Sequence, residues 1–390
     1  MRKNIAKFIE RNKAEILAFW ETLVNMESAS ADKEGVDRTA RFLEEHLRKL
    51  GAETRVAEFE KGGDGLVAVF GKDRPGKPVA FMGHFDTVFP KGAAMARPFR
   101  IEDGKAYGPG VLDMKGGVVV LSSVARFLEE SDFSDRPVVV VLAGDEETAH
   151  RYSSMGKVFS DEVRGCAAAF NFETGDRNSG LVVGRKGTAV FTLSVEGVSV
   201  HAGREPRKGR SAILEIAHKV IAIQALNEND EGMTYNVGTI EGGVVPNAVP
   251  DRAEIVVDVR YLSSSQLDVV SARMREIADT TYLDGTRTTL SRTVGIPPME
   301  KTPENERLFE FVRRKALELG QPEPWAEFSG GGSDSAFSVS AGVPTLDQMG
   351  VRGEWNHSDR EYALVDSLFE RIALVAECVM DLERFAPHFE

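Results

Sequence analysis

The sequence predicts an α/β domain, with a mixed, mostly parallel sheet flanked by helices, that is interrupted by a smaller domain. The first observation is a set of short, almost purely apolar runs separated by helical patterns, which is typical of strands buried on both faces of a sheet. The second is a central segment whose strands instead alternate apolar and polar residues. The third is the length of 390 residues, which is too great for one hydrophobic core and indicates two domains.

Composition and charge narrow the class of protein. With 42% hydrophobic and 28% charged residues, the chain is typical of a soluble globular protein. A formal net charge of -13 disfavours a nucleic-acid partner, because binding phosphates requires a basic surface. Cys166 and Cys378 are the only cysteines, too few for a disulfide framework or a thiolate metal site. Any metal would therefore be held by His, Asp or Glu.

The segment from Met1 to Met26 is predicted to be an amphipathic helix. Charged residues interrupt it too often for a signal peptide, and its apolar residues recur at helical spacing. No apolar run approaches the roughly 18 residues needed to span a membrane. We therefore expect a cytoplasmic protein that binds neither membranes nor nucleic acids.

A helix and short strands come next, before a glycine-rich bend. Asp37 to Leu50 is a second amphipathic helix, and Glu53 to Val69 has the alternation of short strands. The bend, residues 108–117, lacks the G-x-G-x-x-G order that binds dinucleotides, so its glycines are expected to let backbone crowd around Asp113. A helix is predicted from Val118 to Glu130.

Polar residues follow the apolar strands at the points where these strands end. Ligands of open α/β sheets gather at the carboxyl ends of strands, so this coincidence predicts a site at one edge of the sheet. The pairs are Pro78–Met82 before His84 and Asp86, Pro137–Ala143 before Glu146 and Glu147, Ala167–Phe172 before Glu173, and, less directly, Val343–Leu346 before His357.

The central segment has the element order βαββαβ of a split, ferredoxin-like unit. We place this inserted domain at residues 184–296, within a domain made of residues 1–183 and 297–390 that resumes with the helix Glu304 to Leu319. The predicted strands are Thr188–Glu196, Thr234–Glu241, Ala253–Tyr261 and Arg287–Val294, and the predicted helices are Ser211–Leu226 and Ser264–Tyr282.

Two imidazoles and three carboxylates are enough to hold two divalent ions if one carboxylate bridges them. Nitrogen and oxygen ligands without thiolates suit zinc, with cobalt or manganese as alternatives. Two such ions can polarise a carbonyl group and lower the pKa of a shared water, while Glu146 and Glu147 could divide the work of general base and ligand. Asp86 could hold one imidazole nitrogen of the histidine two residues before it. The candidate ligands are His84, Asp113, Glu147, Glu173 and His357.

Taken one by one, these residues have ordinary interpretations. An acidic pair after a strand usually begins a helix or lies in a solvated turn, and His201 by itself would be a strand-end histidine. The basic stretch from Arg204 to Arg210 is interpreted as a solvated loop. No function is assigned to His46, His150, His218 and His388.

Several motifs, in order along most of the chain, resemble the co-catalytic zinc peptidase family. That family includes glutamate carboxypeptidase, acetylornithine deacetylase and succinyl-diaminopimelate desuccinylase. AYGPG at residues 106–110 and VRY at residues 259–261 are most similar to the glutamate carboxypeptidase branch. The motifs are GHFDTV around His84, GPGVLDMKGG around Asp113, DEE at residues 145–147, Glu173 after its strand, HAG at His201, GGGSD at residues 330–334 and the late His357.

The resemblance implies a role for each matching residue. Asp113 would bridge two zinc ions, His84 and Glu173 would complete one site, and Glu147 and His357 the other. Glu146 would act as general base and then acid, and Asp86 would orient His84. The peptide bond from Asp113 to Met114 would be cis.

The resemblance also implies a homodimer. The inserted domain would be a lid that makes the dimer, and His201 would reach the partner's active site to stabilise the oxyanion. The expected contacts with substrate are Asn247 and Arg260, which would bind its carboxylate, together with Phe328 and Gly331. In folate-cleaving relatives an arginine that selects a carboxylate side chain stands at the position of Phe328. Losing that clamp favours a less acidic or apolar group.

Three functions are compatible with these residues. The leading one is a di-zinc metallocarboxypeptidase or aminoacylase-like hydrolase, which cleaves a peptide or N-acyl bond next to an amino acid with a free carboxylate. The second is a dipeptidase, or a deacylase of an N-acyl biosynthetic intermediate. The third is a non-catalytic metal- or ligand-binding relative, which is disfavoured because Glu146 and all five candidate ligands are present.

Overall fold

The computed structural model describes residues 4–228 and 232–385, so the predicted helix start at Met1 and the histidine His388 lie outside the described residues. The chain forms two compact units. Unit 1 comprises the residues up to Gly184, Lys301–Ser329 and the residues from Ser333 onward, and unit 2 comprises Arg185–Glu300 and Gly330–Gly332. The sequence placed Gly330–Gly332 in the first domain, whereas they group with unit 2.

The α-helices of the described residues include all those that the sequence predicted. They are α1 (Ile5–Asn25), α2 (Lys33–Lys49), α3 (Ala93–Ala96), α4 (Lys115–Glu130), α5 (Met155–Val163), α6 (Ala212–Ala225), α7 (Ser264–Asp279), α8 (Pro303–Glu318), α9 (Ser335–Ser340) and α10 (Val365–Met380). The helix predicted from Asp37 begins one turn earlier, because Val36 extends its buried face. Across the described ranges, no helix combines the length and the apolar character that crossing a membrane requires.

The strands of the described residues form three sheets and one separate strand pair. They are β1 (Glu53–Ala57), β2 (Gly65–Phe70), β3 (Val79–His84), β4 (Arg100–Glu102), β5 (Lys105–Tyr107), β6 (Val138–Ala143), β7 (Ala168–Asn171), β8 (Gly175–Asp176), β9 (Gly180–Arg185), β10 (Gly187–Glu196), β11 (Thr234–Gly242), β12 (Arg252–Tyr261), β13 (Arg287–Val294), β14 (Trp325–Ser329), β15 (Thr345–Leu346), β16 (Arg352–Glu354) and β17 (Tyr362–Leu364).

The main sheet of unit 1 confirms the predicted mixed, mostly parallel arrangement. Its strand order is β1-β2-β6-β3-β7-β15. Strands β6, β3, β7 and β15 are parallel, whereas β2 is antiparallel to β6 and β1 is antiparallel to β2. Every residue of β3, β6 and β7 is buried, because helices cover both faces of the sheet, and this explains the short apolar runs in the sequence.

Alternate residues of β3 belong to two different hydrophobic clusters. Phe81 lies in the larger cluster, which also contains buried residues of α1, α4 and α10. Its neighbour Met82 lies in a second cluster with Phe159 of α5. Helix α4 approaches β7 so closely that a Cβ atom on Gly117 would lie 1.9 Å from the carbonyl oxygen of Phe172. Gly117 therefore allows the backbone of α4 to approach the end of β7 closely.

A second sheet of unit 1 carries the loop that contains His357. Its strand order is β4-β5-β17-β16-β8. The sequence placed His357 in the loop after Val343–Leu346, but only Thr345–Leu346 forms β15, and His357 follows β16 of this second sheet. The prediction was wrong in this detail because the short strands of the second sheet have no apolar run that marks them.

Unit 2 is an antiparallel sheet with two helices. The strand order β11-β12-β10-β13, with α6 after β10 and α7 after β12, is that of the predicted ferredoxin-like βαββαβ unit. Alternate residues of the two central strands, such as Phe191 and Ile255, pack with Ile216 of α6 and Met274 of α7. This explains the period of two residues in the central strands.

Candidate metal centre and active site

The candidate ligands come from five segments of the chain that meet at one edge of the main sheet. His84 ends β3, Glu147 lies in the short turn after β6, and Glu173 follows β7. Since β6, β3 and β7 are parallel neighbours, their carboxyl ends are adjacent. Asp113 enters from the bend before α4, and His357 from the connection between β16 and β17.

The ligands form two groups that share Asp113. In the first, Nε2 of His84 lies 3.3 Å from Oδ1 of Asp113 and 3.5 Å from Oε1 of Glu173. In the second, Nε2 of His357 lies 3.0 Å from Oδ2 of Asp113 and 3.3 Å from Oε2 of Glu147. The two oxygens of Asp113 therefore face different histidines, which is the arrangement of a bridging carboxylate.

The donor spacing fits two divalent ions. Ligand atoms about 2.0–2.1 Å from a tetrahedral zinc ion lie about 3.3 Å from one another. Within each group the candidate donor atoms all lie within 4.8 Å of one another. In addition, Oε1 of Glu147 is buried and has no hydrogen-bond partner among the described residues. These residues fit metal ions by both spacing and donor type.

The electrostatics of the site favour a cation. Burial disfavours a charged imidazole at His84, but the surrounding carboxylates, chiefly Glu173, outweigh it and hold the pKa well above its ordinary value. Hydrogen bonds to Asp113 and Glu147 raise the pKa of His357 to about 10. Despite burial, these two histidines hold the pKa of Asp113 below its ordinary value. The carboxylates thus attract positive charge, whether protons or metal ions.

Asp86 orients His84 and also holds the loop after β6. Nδ1 of His84 lies 3.1 Å from the backbone oxygen of Asp86 and 3.3 Å from its Oδ1, so Nδ1 carries the proton and Nε2 faces the other ligands. The carboxylate of Asp86 also accepts hydrogen bonds from the N–H groups of Glu146 and Glu147, each at 3.2 Å, and from Oγ of Ser30 at 2.7 Å.

Glu146 lies beside the ligand groups. Its Oε2 is 4.0 Å from Nε2 of His84. Burial raises the pKa of Glu146 well above its ordinary value, and the positive charge of His84 only partly opposes this. A carboxyl group with a raised pKa next to the ligands can accept a proton and later return it.

Two residues that the sequence did not single out fix Asp113. The wholly buried carboxylate of Glu361 accepts hydrogen bonds from the N–H groups of Gly110, Leu112 and Asp113, each at 2.9 Å. Asn356 donates from Nδ2 to Oδ2 of Asp113 at 3.1 Å. The only feature of the sequence that marks Glu361 and Asn356 is their position within four residues of His357. The peptide bond from Asp113 to Met114 is cis, as expected.

The remaining predicted site residues lie in both units. Phe328 belongs to unit 1, where its ring packs on Gly184, whereas His201, Asn247, Arg260 and Gly331 belong to unit 2. Within unit 2, the segments of His201 and Asn247 are adjacent, because the N–H of Ala202 donates to the backbone oxygen of Asn247 at 3.0 Å.

Arg260 and Gly331 lie on neighbouring segments of unit 2. Arg260 donates from Nε to Oδ2 of Asp258 at 2.8 Å, and its Nη1 lies 3.5 Å from the backbone oxygen of Gly330. The backbone oxygen of Gly331 accepts a hydrogen bond from Nη1 of Arg185 at 3.3 Å. The four substrate-binding candidates are thus divided between the units, three in unit 2 and Phe328 in unit 1.

Comparison with known proteins identifies the family of this chain. The sequence profile of peptidase family M20/M25/M40 matches residues 80–381. Carboxypeptidase G2 of Pseudomonas sp. (strain RS-16) is 30% identical over 367 residues, which cover 93% of this chain and 88% of that protein. A succinyl-diaminopimelate desuccinylase of Nitrosospira multiformis is 26% identical over 323 residues, 78% of this chain and 82% of that protein.

Solved structures have the same fold. A tripeptidase from Staphylococcus aureus superposes with a TM-score of 0.82 at 23% identity, over 96% of this chain and 99% of that one. Aminopeptidase PepT from Bacillus cereus superposes with a TM-score of 0.81 at 22% identity, over 95% of this chain and 99% of that one. The resemblance found in the motifs is confirmed. The chain therefore belongs to peptidase family M20/M25/M40 and is a metal-dependent peptidase or amidohydrolase.

Proposed function

We propose that this protein is a di-zinc hydrolase that cleaves a peptide or amide bond next to an amino acid with a free carboxylate. The observation that carries the proposal is the pair of ligand groups that share Asp113, with donor spacings of 3.0–3.5 Å. His84, Asp113 and Glu173 would hold one ion, and Asp113, Glu147 and His357 the other. Zinc suits the donors best, and cobalt or manganese are alternatives.

The residues divide the chemistry among them. When bound, the two ions would supply Lewis-acid chemistry that polarises the substrate carbonyl and lowers the pKa of the attacking water. Glu146 would take a proton from the attacking water and pass it to the leaving nitrogen, a role supported by its position 4.0 Å from Nε2 of His84. Asp86 keeps His84 in the tautomer that presents Nε2, and Glu361 holds the backbone of Asp113.

Unit 1 would be the catalytic domain and unit 2 the lid. We assign the substrate carboxylate to Asn247 and Arg260, the oxyanion to His201, and a further contact with substrate to Gly331. Phe328 would contact the side chain of the leaving amino acid. Because Phe328 is aromatic and 41% exposed, it favours an apolar side chain over a carboxylate. The similarity to a protein named a carboxypeptidase supports this direction of cleavage.

A deacylase is the second candidate, favoured by the similarity to succinyl-diaminopimelate desuccinylases. Such an enzyme would use the same ligands and the same base. Turnover of dipeptides compared with N-acyl amino acids distinguishes the two functions.

Removal of the metal tests the proposal. We expect about two zinc ions per chain by elemental analysis, together with hydrolysis of N-acyl amino acids or dipeptides that is lost on chelation and restored by zinc. A folded protein that binds no zinc, cobalt or manganese and hydrolyses nothing in that panel would contradict it.

A further inference from the structure

His150 joins two carboxylates inside unit 1. Its Nδ1 lies 2.9 Å from Oδ1 of Asp145 and its Nε2 lies 2.6 Å from Oδ1 of Asp334. The side chain of His150 is 6% exposed, and those of the two aspartates are 1% exposed. Carboxylates only accept hydrogen bonds, so both ring nitrogens donate and the imidazole is positively charged. These carboxylates raise the pKa of His150 well above its ordinary value despite its burial.

The contact between Asp145 and His150 closes the loop that contains Glu146 and Glu147. The backbone oxygen of Asp145 accepts hydrogen bonds from the N–H groups of Thr148 and His150, at 3.3 and 3.2 Å. The hydrogen bond between the side chains of Asp145 and His150 is a further contact that closes the same loop. On its other side the loop is held by Asp86, which accepts from the N–H groups of Glu146 and Glu147.

The backbone of this loop is strained where it reaches His150. Ala149 and His150 both have φ of 53°, in the left-handed region that residues with a Cβ atom disfavour. Such a conformation persists only where its surroundings hold it. The ring of His150 also packs on Phe159 and Phe337, with centroid distances of 6.1 and 5.7 Å.

Asp334, the second partner of His150, belongs to a segment that is held by hydrogen bonds. The hydroxyl groups of its neighbours Ser333 and Ser335 both donate to Oδ2 of Asp347, at 2.5 and 2.7 Å. His150 therefore ties the loop of Glu146 to a rigid support. The same aspartate lies close enough to Glu146 for its charge to contribute to the raised pKa of that residue.

We propose that His150 is a positioning residue for Glu146: it clamps the loop between Asp145 and Asp334 and holds the general base beside the metal ligands. The inference rests on the proposed function, because it takes Glu146 as the base. This role explains why His150, which has a Cβ atom, is kept in a left-handed conformation. A misplacement of about 1 Å at a reacting group is enough to lower a rate by about 100-fold.

The test compares His150→Gly with Ala149→Gly. Glycine suits the φ of both positions, so both variants relieve strain, but only the first removes the clamp. We expect His150→Gly to lower kcat by about 10- to 100-fold, with KM within about threefold of the wild type and the bound zinc unchanged. Ala149→Gly should keep the wild-type kcat. Free imidazole should partly restore kcat in His150→Gly, measured against wild-type protein in the same imidazole concentration.

Three results would overturn the proposal. These are equal kcat values for the two variants, a loss of zinc that parallels the loss of kcat, and no response to imidazole. If His150→Gly does not fold, His150→Asn replaces it, since asparagine tolerates the left-handed region and keeps one donor; a wild-type kcat there also overturns the clamp. If the wild-type protein itself binds no metal and hydrolyses no substrate, the proposed function is refuted instead.

Discussion

Asp113 is the residue at which the two candidate metal sites meet. Its two oxygens face His84 and His357, at 3.3 and 3.0 Å. Such a carboxylate can bridge only if its backbone and side chain are held, and Glu361 and Asn356 supply the necessary hydrogen bonds. Glu361 lies wholly inside unit 1, which raises its pKa to about 7. Three backbone N–H groups compensate the cost of burying it.

Glu146 and its neighbour Glu147 are expected to respond differently to the same substitution. Glu146→Gln removes the proton acceptor but no ligand, so kcat should fall by about 100- to 10,000-fold while zinc content stays at the wild-type value. Glu147→Gln removes a ligand and should lower zinc content as well. Steady-state kinetics and elemental analysis of both variants check this. Full activity of Glu146→Gln would contradict the assignment of the base.

Phe328 is expected to decide which amino acid leaves. Phe328→Arg introduces a group that can bind a carboxylate side chain. It should raise kcat/KM for an N-acyl-glutamate relative to an N-acyl-leucine by about tenfold or more. Phe328→Ala is the control, since it removes the ring without adding a charge. The wild type should prefer the leucine substrate, and comparable turnover of both substrates would contradict this selectivity.

At the scale of elements, the parallel strands explain why the site forms where it does. Strands β3, β6 and β7 are adjacent and parallel, so a short polar sequence after each reaches a common edge. The loops are then fixed by hydrogen bonds between them, such as those from the Glu146 and Glu147 N–H groups to Asp86. The rigid sheet and these loop contacts together set the donor spacing.

Helix α2 contains a histidine whose burial makes stability depend on pH. His46 stacks on Phe19 with a centroid distance of 4.0 Å, and its Nε2 lies 2.7 Å from Oγ of Ser122. Burial lowers its pKa from 6.5 to about 4. The unfolded chain therefore binds the proton more tightly than the folded one. The contribution of His46 to the free energy of unfolding is therefore fully present above pH 6.5 and is lost as the pH decreases from 6.5 towards 4.

Comparison with His46→Gln measures that effect. The shift of the His46 pKa corresponds to about 3 kcal/mol of unfolding free energy at pH 4. We expect the metal-free wild type to lose about that much more stability than His46→Gln between pH 7 and 4. Denaturant unfolding of both proteins across this range checks the prediction. Equal pH dependence in the two proteins would contradict it.

At the scale of the whole molecule, unit 2 has a surface suited to a second copy of the chain. Strand β11 is an edge strand that pairs only with β12 among the described residues, so its outer hydrogen-bonding groups are available to another strand. Beside it, Ile213 and Ile221 lie on one face of α6, and Ile240 and Val244 lie on and after β11; all four are exposed. The motifs predict a homodimer, and we expect that dimer to form through this surface.

Charged substitutions test the dimer. Ile221→Glu combined with Ile240→Glu should shift the protein from dimer to monomer in sedimentation, because the interface would bury unpaired charges. If His201 acts on the partner's active site, kcat should fall in parallel. Val269→Glu is the control, since Val269 is an exposed apolar residue on α7, the other helix of unit 2. A double variant that stays dimeric would contradict the interface, and a double variant that is monomeric but fully active would contradict the role of His201.

The sequence by itself determined the fold class and the identity of the candidate ligands. Periodicity is a local property, so short apolar runs predicted β3, β6 and β7, and alternation predicted the strands of unit 2. Polar residues at strand ends predicted His84, Glu147 and Glu173. Motifs added the cis bond after Asp113, which the structure contains.

Only the tertiary structure decided how these residues are held. Glu361 supports Asp113 across 248 positions of sequence, and His150 contacts Asp334 across 184. The position of His357 on the second sheet also depended on pairing between distant strands. No local pattern marks such residues, because a buried polar side chain is identified by the partner that satisfies it, and folding alone brings that partner near.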